Sequence, residues 1–519
     1  MEKIATDIYS FPELRANGFT YVDKTEGLWL MASGEIGKQF FIARPRRFGK
    51  SLAISTLKAL FEGRREFFQG LAIVPKWDWT QKWPVLHLDL GSLQARSVPE
   101  FEAQLIEHLR DRANELGVAE PSSAIPSIAF SRMINALAKT SSDGRMVLLV
   151  DEYDKPLLGH LLKEDVGDFR DSLKMFYSVI KTLEEKQRFT FITGVSKFSK
   201  VSIFSDLNNL KDYTMHPRTA TLFGYTHEEV LHCFPENIHA LGEANGINDA
   251  EAFQRIVDWY DGYRFEEAAI PVINPVSLGL CFDFRKLGNY WSKTAIPTFL
   301  IDILRKRPLD FSTINITDDM LDAYEPDKPN LTTLLYQTGY LTLKGCENIG
   351  GSRLYTLGFP NREVEDSFLR RLVPAYTGNE EHLSETTQFA AAKALYAHDV
   401  PKFIKALKTL FANIPYSLTD RQNEQMWQTI VYVVLKAIGV NVHGEVQTND
   451  GRIDMTAETP ADTYIIEFKL DRPAAEAMAQ IRGKEYAGRY ALSTKRLTLI
   501  AISFSSEKRT IVEELVEEP

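Results

Sequence analysis

The chain has 519 residues, 44% of them hydrophobic and 25% charged, with a formal net charge of −10. This balance excludes a disordered chain and one that needs staples to hold a core, and the length predicts about three domains. It also excludes a global basic field, so contact with nucleic acid needs a local cationic patch.

Cys233, Cys281 and Cys346 are widely spaced, a pattern that forms neither a disulfide framework nor a zinc site and suits a reducing compartment. The N-terminal residues Met1-Glu2-Lys3-Ile4-Ala5-Thr6-Asp7 lack a basic segment followed by an apolar one, and no run of 18 apolar residues occurs. A cytoplasmic protein with no membrane partner is expected.

In chain order, the apolar run Phe40-Phe41-Ile42-Ala43 reads as a strand that enters Arg44-Pro45-Arg46-Arg47-Phe48-Gly49-Lys50-Ser51 and then a helical pattern. Such a loop points successive backbone N–H groups inward at phosphate oxygens. Lys50 then supplies charge for the β- and γ-phosphates of a nucleoside triphosphate, and the Ser51 hydroxyl ligates Mg2+. Arg46, Arg47, Phe48 and Gly49 complete the expected nucleotide-binding loop. Arg44 stands where the G-x-x-x-x-G-K-[ST] pattern has its first glycine, and Gly-Lys-Ser alone also arises by chance beside solvated arginines.

Val85-Leu86-His87-Leu88-Asp89-Leu90 reads as another strand. Met146-Val147-Leu148-Leu149-Val150 reads as a buried parallel strand that delivers Asp151-Glu152 at its C-terminal end, where α/β sheets place ligand chemistry. Asp151 is expected to order Mg2+ and Glu152 to polarise the attacking water; the pair also suits the N-cap of a following helix. A strand over Phe189-Thr190-Phe191-Ile192-Thr193-Gly194 ends in small polar residues, with Ser196 beyond them, that could sense a γ-phosphate. Long segments of helical period between these strands predict an α/β parallel sheet with crossover helices.

The first domain is expected to end near Phe223-Gly224-Tyr225, before a helix capped by Thr226 with Glu229 three residues later. From there to about Val373 the chain reads as mostly helical and aromatic, a lid or winged-helix-like module. Trp259-Tyr260-Asp261-Gly262-Tyr263 reads as a turn that packs aromatics, with stacking on nucleotide or DNA as the other option.

The segments Tyr21-Val22-Asp23-Lys24-Thr25, Arg44 to Ser51, Val150-Asp151-Glu152-Tyr153-Asp154, Ser202 to Leu210 and Trp259 to Tyr263 resemble the bacterial AAA-ATPase-like family. The Arg-Pro-Arg-Arg-Phe-Gly-Lys form of the loop is typical of it, and the resemblance covers nearly the whole chain. It implies a cytoplasmic ATP-binding protein of P-loop architecture, fused at its C-terminus to a PD-(D/E)XK nuclease-like domain.

In the last third, Glu424 to Ile438 reads as a buried helix closed by Gly439. Val440–Gln447 and Gly451–Ala457 read as strands around Asn449-Asp450-Gly451, Thr463–Lys469 as a third strand, a helix follows from about Ala474, and Leu497–Phe504 closes an αβββαβ order. Glu467 and Lys469, two residues apart, share one face of their strand, and a hairpin places Asp454 alongside. Two carboxylates hold one or two Mg2+ ions and Lys469 positions or polarises the nucleophile, the D-x12-E-x-K arrangement of PD-(D/E)XK nucleases. Similarity to that pattern adds Glu424 as a metal-site residue and Gln480 as a catalytic one. Acids outnumber bases from Asp420 onward, and the tail Glu513-Glu514-Leu515-Val516-Glu517-Glu518 reads as a solvated helix end.

The expectation is a P-loop ATPase domain (1–225), a helical lid or linker (226–373) and a nuclease-like domain (374–519). ATP binding, and hydrolysis, would control Mg2+-dependent cleavage of nucleic acid, DNA before RNA. The alternatives are a nucleotide-switched binding or scaffold protein whose nuclease-like domain does not cut, and an ATPase that forms a homo-oligomer on binding nucleotide.

Overall fold

The computed structural model describes residues 2–161, 163–198, 203–204, 207–291, 300–301, 303–304, 309, 311, 314–322, 330–412, 424–448, 451–483 and 494–519, with backbone alone at 381, 425, 445–448, 451 and 452. The turn Asn449-Asp450 and parts of the Ser202–Leu210 and Gln480–Tyr486 segments lie outside the described residues. The chain divides into one unit of residues 1–291 and 315–361 and a second of 292–314 and 362–519.

The first unit is built on five parallel strands, β1 (Gln39–Ala43), β2 (Val85–Asp89), β3 (Met146–Asp151), β4 (Gln187–Gly194) and β5 (Lys211–Asp212), in the order β2-β3-β4-β1-β5. Every residue of β1 and β3 is buried. Strands so uniformly apolar demand cover on both faces, which the crossover helices supply. The helix Val98–Leu116 shows how the sequence makes one: the Ser97 hydroxyl caps its start, Gly117 ends it at φ 66°, and Phe101, Leu105, Leu109 and Ala113 recur every four residues on its buried face. Because β4 lies between β1 and β3, the loop after β1 and Asp151 at the end of β3 flank the C-terminal end of β4. Ligand crevices of α/β sheets open at this edge.

Thr226 and Glu229 form the expected capping box, each side chain bonding the other's backbone N–H. The helices that follow, His227–Cys233, Pro235–Asn245, Asp249–Tyr260 and Pro275–Phe284, share an apolar core with Val22 of the N-terminal segment. Tyr260 and Tyr263 are buried, and Gly262 has φ 123° with Pro360 O only 2.1 Å from where a Cβ would stand. The Trp259–Tyr263 segment therefore packs aromatics.

The middle region is helical as expected but also carries a three-stranded sheet, β6 (Ile314–Thr317), β7 (Thr342–Ile349) and β8 (Ser352–Gly358), in the order β6-β8-β7. Most of β7 is exposed, so it lacks the apolar run that marks a strand. Its hairpin turn with β8 is Gly350-Gly351, at φ 59° and 88°, a two-residue geometry that glycine adopts without strain.

In the second unit the helix Glu424–Ala437 leads to β9 (Asn441–Thr448), β10 (Gly451–Glu458), β11 (Asp462–Leu470), the helix Ala474–Gly483, β12 (Arg496–Ser505) and β13 (Thr510–Glu517), in sheet order β13-β12-β11-β10-β9. Only the β11–β12 pairing is parallel. Trp427, fully buried, stacks on Phe504 of β12 with ring centroids 4.9 Å apart, which seats the start of its helix on the sheet.

The acidic tail is a strand and not a solvated helix end. Backbone pairing with β12 and the burial of Ile511 outweigh the poor β-propensity of glutamate. Its charges serve locally: Glu513 accepts from the Ala474 N–H at a helix start, and Glu514 and Glu517 pair with Lys408 and Arg482. Charge on an edge strand also discourages pairing with other chains. Among the described residues no helix is long and apolar enough to cross a membrane.

Candidate active sites

β1 delivers the loop, and Gly49 at φ 87° starts the helix Lys50–Phe61. Lys50 is buried, and its ammonium donates to the carbonyls of Arg44 and Pro45, both at 3.1 Å. Arg47 also takes a left-handed conformation (φ 69°), so Phe48 is turned out of the loop and buried edge-on against Tyr263 and Phe265, with centroids 4.7 and 5.2 Å away. The carbonyl of Arg46 accepts from Trp291 Nε1 at 3.4 Å.

Arg44 does not face a phosphate site. Its guanidinium is buried 4.3 Å over the Phe265 ring and donates to the carbonyls of Ala43, Thr214 and Thr219. Burial pulls its pKa down to about 10. The residue at the missing-glycine position thus ties the root of the loop to the segment after β5.

Across the end of β4, Ser51 and Lys50 at the start of the helix both act on the Asp151 carboxyl. Glu152 follows at φ 51°, an unusual conformation for glutamate and one that persists where surrounding structure imposes it. Its N–H donates to Asp151 Oδ1 at 2.9 Å, and its Cγ lies 3.5 Å from the Cβ position of Gly91. Asp154 is buried and accepts the N–H groups of Val195 and Ser196 at 3.1 and 2.6 Å. Ser196 is itself buried, and the Thr193 hydroxyl donates to Ile42 O.

Burial pushes Asp151 from an ordinary 3.8 up to about 6, against the lowering effect of Ser51 and Lys50. The folded chain holds this proton more tightly than the unfolded one, so the group's contribution to stability falls as pH rises from about 4 to about 6 and stays lost above. Asp151→Asn, uncharged at every pH, is expected to raise the unfolding midpoint of the nucleotide-free protein by a few degrees near pH 7 and to leave it little changed near pH 4. Scanning calorimetry at the two pH values checks this.

Beside Arg47, Phe48 and Gly49 opens an apolar cavity of about 100 Å3. Its walls come from Ile4–Thr6, Tyr21–Val22, Leu222–Tyr225 and Pro275–Val276, with Leu52 and Ala53 of the helix after the loop. Lys24 at its edge donates to Thr221 O at 2.8 Å and pairs with Glu229. Sequence reading missed this cavity, because its walls come from segments far apart in the chain.

In the second unit the β10–β11 ladder runs from Glu458↔Thr463 to Met455↔Ile466. Just beyond, a side chain takes over: the Phe468 N–H donates to Asp454 Oδ2 at 3.0 Å, and the Asp454 N–H to Glu467 Oε2 at 3.4 Å. Glu467 is fully buried, receives the Gln480 side-chain amide, and lies 3.8 Å from Lys469 Nζ. Lys469 donates to Phe468 O at 2.8 Å.

The structure therefore brings Asp454, Glu467, Lys469 and Gln480 together. Glu424 stands apart: its Oε2 accepts from the Leu470 N–H at 3.1 Å and from Arg472 at 3.3 Å. Among the described residues no three His, Cys, Asp or Glu side chains converge to hold a metal ion. Asp454 and Glu467 remain a pair of hard oxygen donors, which fits Mg2+, an ion that uses one or two carboxylates and keeps waters or substrate oxygens.

A glycine-turned loop on a parallel sheet, facing a strand-end carboxylate, and an acid-x-lysine strand in a mixed sheet define a nucleotide-triphosphatase-like protein joined to a nuclease-like domain. The comparisons agree: residues 5–204 match the family described as "Predicted AAA-ATPase", and residues 422–514 match the "PD-(D/E)XK nuclease superfamily". An "Uncharacterized protein in vnfD 5'region" of Azotobacter chroococcum mcd 1 is 34% identical over 528 residues, which cover 99% of each chain. The chain belongs to this AAA-ATPase-like family with a C-terminal PD-(D/E)XK domain.

Proposed function

We propose that the protein binds and hydrolyses ATP in residues 1–225 and that this domain, through the helical region 226–373, regulates a Mg2+-dependent nuclease in residues 374–519, with DNA as substrate. The observation that carries the reading is the pair of lysine–carboxylate centres at strand ends: Lys50 and Ser51 opposite Asp151 and Glu152, and Lys469 beside Asp454 and Glu467.

At the first centre the loop N–H groups and Lys50 receive the phosphates, with Arg46 and Arg47 at its rim. Ser51 and Asp151 would hold Mg2+, and Glu152 would accept a proton from the attacking water. At the second, Asp454 and Glu467 would hold the ion while Gln480 orients Glu467 and Lys469 polarises the nucleophile. Glu424 supports the end of β11 from outside the ion's ligands. Bound Mg2+ supplies positive charge against the developing phosphate oxygens at both centres.

The nucleobase would enter the apolar cavity beside Gly49, with the ribose at its mouth. Ala5→Trp, at the cavity wall, is expected to weaken ATP binding about tenfold or more and leave inorganic tripolyphosphate binding unchanged, in the manner of a filled pocket. Calorimetric titration of both ligands tests this; equal affinities for ATP in variant and wild type would place the base elsewhere. The alternative of a nucleotide-switched binding protein that does not cut draws on one observation, the absence of a third converging carboxylate among the described residues.

A further inference from the structure

The groups gathered at the end of β11 extend past Lys469. Phe468 and Leu470, two residues apart, direct their N–H groups to one edge of the strand, where the first meets Asp454 Oδ2 and the second Glu424 Oε2. Two residues of strand span roughly 7 Å. The chain then turns through Asp471 at φ 53°. Three bonds fix this turn: the Asp471 N–H donates to Phe504 O at 2.8 Å, Asp471 Oδ1 accepts the Ser506 N–H at 2.8 Å, and the Ser503 hydroxyl donates to Arg472 O at 2.6 Å. Pro473 further restricts the backbone of Arg472.

From this anchored root the Arg472 side chain, 52% exposed, lies against Glu424 at 3.3 Å and Glu476 at 3.6 Å. Lys469, by contrast, is buried between Phe468 O and Glu467 and is committed to the reacting centre.

We propose that Arg472 binds the nucleic-acid phosphate adjacent to the one cleaved, with Glu424 and Glu476 as positioning residues that hold the guanidinium toward the end of β11. The proposal rests on the nuclease reading of Asp454, Glu467 and Lys469. In a region where acids outnumber bases, no broad field recruits a polyanion, so register must come from individual cations at the site. A guanidinium meets a phosphate through two parallel N–H bonds, and an exposed ion pair with a carboxylate is worth so little that a phosphate displaces it readily.

The test is fluorescence anisotropy of a labelled DNA duplex with the full chain in Ca2+, titrated over a range of salt. Arg472→Gln is expected to bind about 5–10-fold more weakly whatever the base sequence, with the log–log salt slope smaller by about 1. Arg472→Lys, which keeps the charge but not the paired N–H bonds, should restore the salt slope and only part of the affinity, and Arg482→Gln, whose native residue pairs with Glu517, should match wild type. An unchanged melting temperature separates these effects from misfolding. Equal affinity and slope for Arg472→Gln and wild type would overturn the proposal alone if the wild type still cleaves. A wild type that binds no nucleic acid would overturn both the proposal and the nuclease reading.

Discussion

Lys50→Ala is expected to weaken binding of Mg·ATP at least about a hundredfold while leaving the protein folded. The lysine is buried at the start of its helix and donates to the carbonyls of Arg44 and Pro45, so its charge sits within the loop that would enclose the phosphates. Removing it leaves two loop carbonyls short of a donor, a cost of about 1–3 kcal/mol that water entering the space offsets in part. The phosphates, in contrast, lose a full charge where few other groups replace it, since Arg44 is turned away under Phe265. Calorimetric titration with circular dichroism as a folding control reads both quantities. ATP affinity within threefold of wild type would remove Lys50 from the site.

Asp454→Asn is expected to lower the cleavage rate by about 10²–10³ or more with little change in stability. The substitution keeps an oxygen to accept the Phe468 N–H, and with it the junction of β10 and β11, but removes the charge that would face the ion. Lys469→Met should lower the rate similarly and cost more stability, because Glu467 would lose its cation 3.8 Å away in a fully buried setting. Single-turnover cleavage and thermal unfolding of the two variants separate these effects. A variant Asp454→Asn that cuts at the wild-type rate would contradict the assignment.

What the sequence made legible was local. Gly49-Lys50-Ser51 after an apolar run, Asp151 at the end of another, and Glu467 and Lys469 two residues apart are patterns of adjacent residues, and strand and helix periodicity placed them on elements close to those observed. The position of β4 between β1 and β3 was not legible, because its parallel pairing with β1 joins segments more than a hundred residues apart and leaves no local trace.

Arg44 shows the same limit. Its departure from glycine was visible, but the reason lies in Thr214, Thr219 and Phe265, which only the fold brings near. The β13 strand was misread because its glutamates suggest solvent, whereas backbone pairing to β12 decides its conformation. Glu424 was assigned from a family pattern of residue types; its engagement with the Leu470 N–H and Arg472 depends on how Trp427 seats its helix on Phe504.

The measurement that tests the account most directly is Mg2+-dependent cleavage of double-stranded and single-stranded DNA and RNA with and without ATP, by wild type, Lys50→Ala and Asp454→Asn. The account predicts cleavage of DNA by the wild type that responds to ATP, loss of that response in Lys50→Ala, and loss of cleavage in Asp454→Asn. ATP binding with no cleavage of any substrate would contradict it and leave a nucleotide-switched binding protein in its place.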